Sequence, residues 1–298
     1  MLTSVASIIV TIVVLGSIIG CGFILWNQSR VKLPTKIETT GHEWDGLEEY
    51  NNPLPKWWMY MFWITVVFAL AYVFLYPALG NNKGVLDWSS TGQWQKEVNK
   101  ADEQYGPLFA KYAQSSVVDL TQDPQAMEVG KRLYLTYCYQ CHGSDARGSK
   151  GFPNLADGDW LYGGSPEVLL QTITNGRNGM MPPHAHLGNE AIKDLVNYVR
   201  SLSGLANDSL LAAKGKELFA SSGCAGCHGA DGKGNQAIGA PNLTDNVWFY
   251  GSSEATITET ITKGRQNMMP AFGERLNEGK LKLLAAYIYN LSHPAAAK

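Results

Sequence analysis

The segment from about Met127 to Ser203 recurs as Ala212 to Ser292, and a chain that carries one pattern twice has to build one domain twice. Gly130-Lys131-x-Leu133-Tyr134 returns as Gly215-Lys216-x-Leu218-Phe219, and Cys138-Tyr139-Gln140-Cys141-His142-Gly143 as Cys224-Ala225-Gly226-Cys227-His228-Gly229. Pro153-Asn154-Leu155, Trp160-x-Tyr162-Gly163, Gly176-Arg177 and Met180-Met181-Pro182 all return 88 positions later, so the copies differ there by no insertion. Each copy closes on an apolar stripe at helical spacing: Ile192, Leu195, Val196, Val199 and Leu202, then Leu281, Leu284, Ala285, Ile288 and Leu291. No run alternates with period two for long enough to make a sheet, and the expected class is all-α.

Ahead of the repeats, Leu2 to Trp26 and Trp57 to Leu79 carry no charged residue over 25 and 23 positions. A helix needs about 20 apolar residues to cross the hydrocarbon, so two transmembrane helices in a lipid bilayer are expected. Trp57, Trp58, Tyr72 and Tyr76 sit towards the ends of the second span, where amphipathic rings favour the interface. Ile18-Ile19-Gly20-Cys21 has the look of a lipoprotein processing site, but no Lys or Arg precedes it and the apolar run continues past Cys21. A retained helix with a buried free thiol fits better. Arg30, Lys32, Lys36 and Lys56 place the intervening loop in the cytoplasm, which returns the long C-terminal part to the outer side, the periplasm of a bacterium. The organisation expected is a first helix at 1–26, a cytoplasmic loop at 27–56, a second helix at 57–80, a periplasmic linker with one helix at 81–125, and repeats at 126–205 and 206–298. In the linker, Trp94, Val98, Ala101 and Tyr105 form a helical stripe that suits a partner, the repeats or packing within the chain. A formal net charge of −2 offers no field for a phosphate backbone, and nucleic acid is not an expected partner.

Four of the five cysteines fall in two Cys-x-x-Cys-His units, the attachment signature of haem c. Two thiols three residues apart reach the two vinyl groups on one edge of a porphyrin, and the next residue presents an imidazole to the iron. Two covalent haems are expected, on Cys138, Cys141, Cys224 and Cys227, with His142 and His228 as axial ligands. A Met precedes Pro 39 residues after His142, at Met181, and 41 residues after His228, at Met269. A thioether opposite imidazole raises the reduction potential and suits an electron relay. Met180 and Met268 compete with them; the adjacent proline, which stiffens the loop, favours Met181 and Met269. His184 and His186 are rival ligands in the first copy, where the second has Phe272. His42 and His293 have no counterpart between copies and are read as surface residues. Trp160, Trp248, Arg177 and Arg265 recur, and the arginines suit haem propionates. With both irons six-coordinate, no open catalytic centre is expected in this chain. Tandem cytochrome c domains behind two membrane helices are the architecture implied.

The loop Thr40-Gly41-His42-Glu43-Trp44-Asp45-Gly46-Leu47-Glu48-Glu49-Tyr50-Asn51-Asn52-Pro53-Leu54-Pro55-Lys56-Trp57-Trp58, together with the two haem units, resembles the dihaem subunit, subunit III or P, of cbb3-type cytochrome c oxidase. The resemblance spans essentially the whole chain. It implies that His142 and His228 are the proximal ligands, Met181 and Met269 the methionine ligands, and the four cysteines the thioether sites. It also implies a soluble or anchored periplasmic cytochrome c as donor. The acceptors would be a monohaem subunit and then the catalytic haem-copper subunit, in a complex that reduces oxygen and pumps protons at the bacterial inner membrane. The first helix departs from the single-span plan of many members. The resemblance leaves open whether each Met serves the haem of its own repeat or of the other. Competing functions are a free-standing anchored carrier similar to dihaem cytochrome c4, and a dihaem peroxidase with one displaceable ligand.

Overall fold

The computed structural model describes residues 2–30, 39–50 and 52–293; Lys32 and Lys36, which entered the orientation argument, lie outside them. The chain divides into two compact units, Met1–Glu103 and Gln104–Lys298.

In the first unit, α1 (Ser4–Ser29) and α2 (Lys56–Leu75) are long and apolar enough to cross a membrane. At 1.5 Å per residue they measure about 39 and 30 Å. Their large side chains are exposed all round, Ile8, Ile12 and Phe23 on one and Ile64, Phe68 and Phe74 on the other, as suits a hydrocarbon solvent. α1 runs unbroken through Cys21, whose thiol is exposed and not buried as expected. α2 stops at Leu75, short of the expected end, because Pro77 forces Tyr76 out of the helical region to φ −112°, ψ 160°. The amide and carbonyl of Leu2 bond the side chain of Asn81 at 2.9 and 3.0 Å, and the Asn81 amide donates to Ser7 Oγ at 2.9 Å. The start of α1 and the exit of α2 are thus tied at one end. Between the helices a hairpin, β1 (Thr39–Trp44) and β2 (Leu47–Tyr50), turns on Asp45 and Gly46, both with positive φ. It was not expected, because its apolar residues do not alternate.

The second unit begins within α3 (Ser90–Gln114) and continues through α4 (Val117–Leu120), α5 (Pro124–Tyr137), α6 (Tyr139–His142), α7 (Pro166–Asn175), β3 (Arg177–Met181) and α8 (Gly188–Leu202). The second copy repeats this as α9 (Ser209–Ser221), α10 (Cys224–His228), α11 (Glu254–Lys263), β4 (Arg265–Met269) and α12 (Glu278–Ser292). Caps recur with the sequence. Asp123 accepts from the amides of Gln125 and Ala126 and Asp208 from those of Leu210 and Leu211; Ser165 and Ser253 cap α7 and α11.

Both closing stripes are buried, but each is buried in the core of the other repeat. One core joins Tyr134, Leu169 and Ile173 of the first copy to Leu281, Leu284, Ala285 and Ile288 of α12, at the end of the second. The other joins Phe219, Ile257 and Ile261 of the second copy to Ile192, Leu195, Val196 and Val199 of α8, at the end of the first. Gly130 and Gly215 permit these crossings: a Cβ on Gly130 would meet the Leu283 carbonyl at 2.7 Å, and one on Gly215 would overlap the Asp194 carbonyl. The segment read as a linker contributes too, with Tyr112, Val117 and Leu120 buried in the first core, while Trp94 and Tyr105 of the α3 stripe are exposed.

The two repeats exchange across an antiparallel ribbon in which β3 pairs with β4. Arg177 faces Met269, Gly179 faces Asn267 and Met181 faces Arg265. Gly179 and Asn267 are themselves equivalent positions, so an approximate two-fold axis passes between them. The flanking bonds obey it: His184 N donates to Ile261 O at 2.9 Å, and Phe272 N to Ile173 O at 3.0 Å.

Candidate functional site

The single turn of α6 gathers Cys138, Cys141 and His142 immediately after α5, and Gly143, at φ 79°, ends it. The His142 ring is buried with Nδ1 3.0 Å from Pro153 O. A carbonyl only accepts, so Nδ1 carries the proton and Nε2 keeps its lone pair for a metal. The second copy reproduces this on α10, where His228 Nδ1 lies 3.0 Å from Pro241 O. Burial lowers the pKa of both imidazoles, against the smaller opposing effect of the carbonyl bond, and so favours the neutral, ligating form. Burial, with a smaller contribution from Cys141, pushes the Cys138 thiol up to about 11. None of the four motif cysteines is paired in a disulfide.

The core beside each Cys-x-x-Cys-His turn also holds a methionine from the other repeat. Met269 packs on the core that holds Cys138 and Trp160, and Met181 on the core that holds Cys224 and Trp248. Met180 and Met268 point outward, 78% and 71% exposed, which leaves Met181 and Met269 as the inward pair. Arg177 lies over the Tyr162 ring at 4.6 Å and Arg265 over Tyr250 at 4.2 Å, a role for the recurring tyrosines that their sequence pattern alone does not signal. The indole Nε1 of Trp160 and that of Trp248 are both buried without a partner. An indole N–H can only donate, and two orphans at equivalent places mark two missing acceptors.

Haem c fits these residues: its vinyl groups match the thiols, its iron the free Nε2 and the thioether, and its carboxylates the orphan donors. His184 Nδ1 is also buried without a partner, whereas His42 and His293 are exposed, as expected.

The family comparison agrees with this chemistry. Residues 36–83 match the N-terminal domain of cytochrome oxidase-cbb3, FixP, and residues 125–199 and 211–288 match the cytochrome c oxidase, cbb3-type, subunit III family. The chain belongs to the cbb3-type cytochrome c oxidase subunit III family. Among its relatives is the cbb3-type cytochrome c oxidase subunit CcoP of Rubrivivax gelatinosus, 49% identical over 279 residues, covering 93% of this chain and 91% of that one. Subunit FixP of Bradyrhizobium sp. (strain ORS 278) is 41% identical, covering 89% and 98%. Subunit CcoP of Cereibacter sphaeroides is 37% identical, covering 87% and 96%. As a subunit III chain, this protein is a membrane-anchored, electron-transferring cytochrome c component of an oxidase complex, with haem c as its cofactor. The two matched blocks coincide with the two repeats, so both are cytochrome c domains.

Proposed function

We propose that the chain carries two covalent haems and relays electrons from a periplasmic cytochrome c, through a monohaem subunit, to the haem-copper subunit that reduces oxygen. The observation that carries this reading is the duplicated centre: two buried imidazoles, each with Nδ1 committed to a carbonyl and two adjacent thiols, with a partly buried methionine on the core beside each. Haem c, when bound, supplies reversible one-electron exchange at its iron.

The chain's own residues set how readily that exchange occurs. Cys138, Cys141, Cys224 and Cys227 fix the porphyrins covalently. His142 and His228 are held in one tautomer by Pro153 and Pro241, so neither ring reorients when charge changes. Met181 and Met269 offer soft sulfur, which favours the reduced iron. Trp160 and Trp248 supply donors for carboxylates, and the apolar walls exclude water.

The tie between Leu2 and Asn81 supports a topology in which both ends of the helical pair lie on one side of the inner membrane, and the basic residues of the loop between the helices favour the periplasm for that side and for the haem domains that follow. Extraction of the tagged chain in mild detergent, a native gel and an oxygen-uptake assay with reduced cytochrome c test the proposal. A large oxygen-consuming band is expected. A lone dihaem species without uptake would point instead to a free-standing carrier.

A further inference from the structure

We infer that the turn between α2 and α3 lies in the bilayer, in the leaflet through which α2 leaves: Val85 and Leu86 enter the hydrocarbon and Trp88 sits at the headgroups. The membrane thus holds this chain by a third apolar element besides α1 and α2. The inference rests on those two helices crossing. At 20 residues α2 is about 30 Å long, the thickness of the hydrocarbon, so with the charged Lys56 at one face Phe74 and Leu75 reach the other. The chain then doubles back. Val85 N donates to Phe74 O at 3.1 Å and Leu86 N to Leu75 O at 3.0 Å, which brings these two exposed side chains to the depth of the helix end.

The last carbonyls of a helix have no partner within it. Water serves them in solution, whereas in hydrocarbon the chain itself has to. Here it does: Tyr72 O accepts from Tyr76 N at 2.8 Å, and the returning segment takes Phe74 O and Leu75 O. Two glycines allow so close a return. A Cβ on Gly84, at φ 69°, would lie 2.5 Å from Leu75 O, and one on Gly80 would overlap Ser7 of α1. Charge is removed as well, because Lys83 and Asp87 are the only charged residues between Lys56 and Lys96 and they pair with each other at 3.4 Å. Val73, Phe74, Leu79 and Val85, with Asn82 and Gly84, line a groove between the turn and α2, apolar enough for an acyl chain. Trp88 meets Tyr76 edge-on and Tyr76 stacks on Tyr72, which extends the aromatic belt of α2 onto the turn. Singly exposed apolar residues need no partner, but Val85 and Leu86 continue a surface that already faces lipid.

Fluorescence quenching tests the depth. The full chain carrying Cys21→Ser and one new thiol, at Val85→Cys, Leu86→Cys, Phe68→Cys or Asn99→Cys, is labelled with a fluorophore in phosphatidylcholine vesicles. Each signal is read as a ratio to the same protein without quencher, so constant energy transfer to haem cancels. A phospholipid with a nitroxide on its acyl chain should quench at positions 85 and 86 by a factor close to that at 68, while aqueous iodide quenches only at 99. Iodide quenching at 85 and 86 would place the turn in water and overturn the inference. Protection there from both quenchers would show protein covering the turn, and would overturn it too. Iodide quenching at 68 would remove the span and the inference with it.

If the variants do not fold, the unaltered chain in its assembled complex decides. A phospholipid with a diazirine on its acyl chain should label the tryptic peptide Gly84–Lys96 on photolysis. Labelling of α2 without that peptide would overturn the inference and leave another oxidase subunit as the cover.

Discussion

Arg177 and Arg265 occupy equivalent places, and one substitution beside them makes the two centres electrically unequal. Each guanidinium donates through Nε to a threonine hydroxyl at 2.9 Å, Thr172 in one case and Thr260 in the other. The next contact differs. Arg177 reaches the neutral Gln171 at 3.5 Å, whereas Arg265 reaches the carboxylate of Glu259 at 3.3 Å. The Arg265 hydrogen bond and charge, with Lys263 behind them, hold the Glu259 carboxyl below its ordinary range. The positive charge is thus offset by a carboxylate at the second centre, whereas at the first the equivalent neighbour, Gln171, is neutral. A nearby cation favours the reduced iron, so Gln171→Glu should lower the midpoint potential of the haem on His142 by tens of millivolts, an order of magnitude set by a screened unit charge. Glu259→Gln should raise that of the haem on His228. A spectroscopic redox titration reads both, and equal shifts of the two haems in either variant would contradict the asymmetry.

Among the elements, the β3–β4 ribbon does the most with the fewest residues. Gly176 and Gly264 cap α7 and α11 at φ 69° and 71° with ψ near 180°, a conformation open to glycine almost alone. Gly176→Ala should cost on the order of 1–3 kcal/mol and, by displacing the Met269 carbonyl, weaken the sulfur-to-iron band of one haem. Thermal melts and the band's intensity test this together; a stable protein with an unaltered band would show that the ribbon tolerates a side chain.

Where the repeats meet outside the ribbon, Gly151 N donates to Phe249 O at 2.6 Å, and Gln236 Nε2 to Trp160 O at 3.1 Å. Near this seam, burial first, then the charges of Asp245 and Asp157, raise the pKa of Asp159. A raised carboxyl contributes stability that is fully present below the unfolded value of 3.8 and is lost as pH rises through the folded one. Asp159→Asn should therefore flatten the fall in melting temperature from acidic to neutral pH.

At the scale of the whole molecule, the hairpin between the membrane helices exposes Trp44, Leu47 and Tyr50 at 70%, 74% and 62%. Three large apolar residues on one short, two-stranded element are costly to leave in water, which suits burial against another oxidase subunit. Trp44→Ala combined with Tyr50→Ala should loosen assembly on a native gel with haem content unchanged, and intact assembly would retire the idea. The second unit, by contrast, buries the apolar stripes of its closing helices in two reciprocal cores.

Much of this was legible in the chain. The repeat, the thiol and imidazole spacing, the apolar spans and the closing stripes depend on local periodicity, and local periodicity is written in sequence. The hairpin had a local signal too, Asp45-Gly46, but no alternating pattern to support it. Which closing helix packs on which repeat was not legible, because two similar repeats offer each stripe two similar grooves. Connection length breaks the tie: six residues, Ser203 to Asp208, separate α8 from α9, and so short a link favours antiparallel neighbours. Arg200 fastens that choice by donating to Ala206 O at 2.9 Å and Ser252 O at 2.6 Å. Sequence alone determined what the two centres are made of. Only the tertiary structure decided which halves were joined, because that depends on contacts between residues far apart in the chain, such as Arg177 with Met269 across the ribbon and Tyr134 with Tyr287 in the first core.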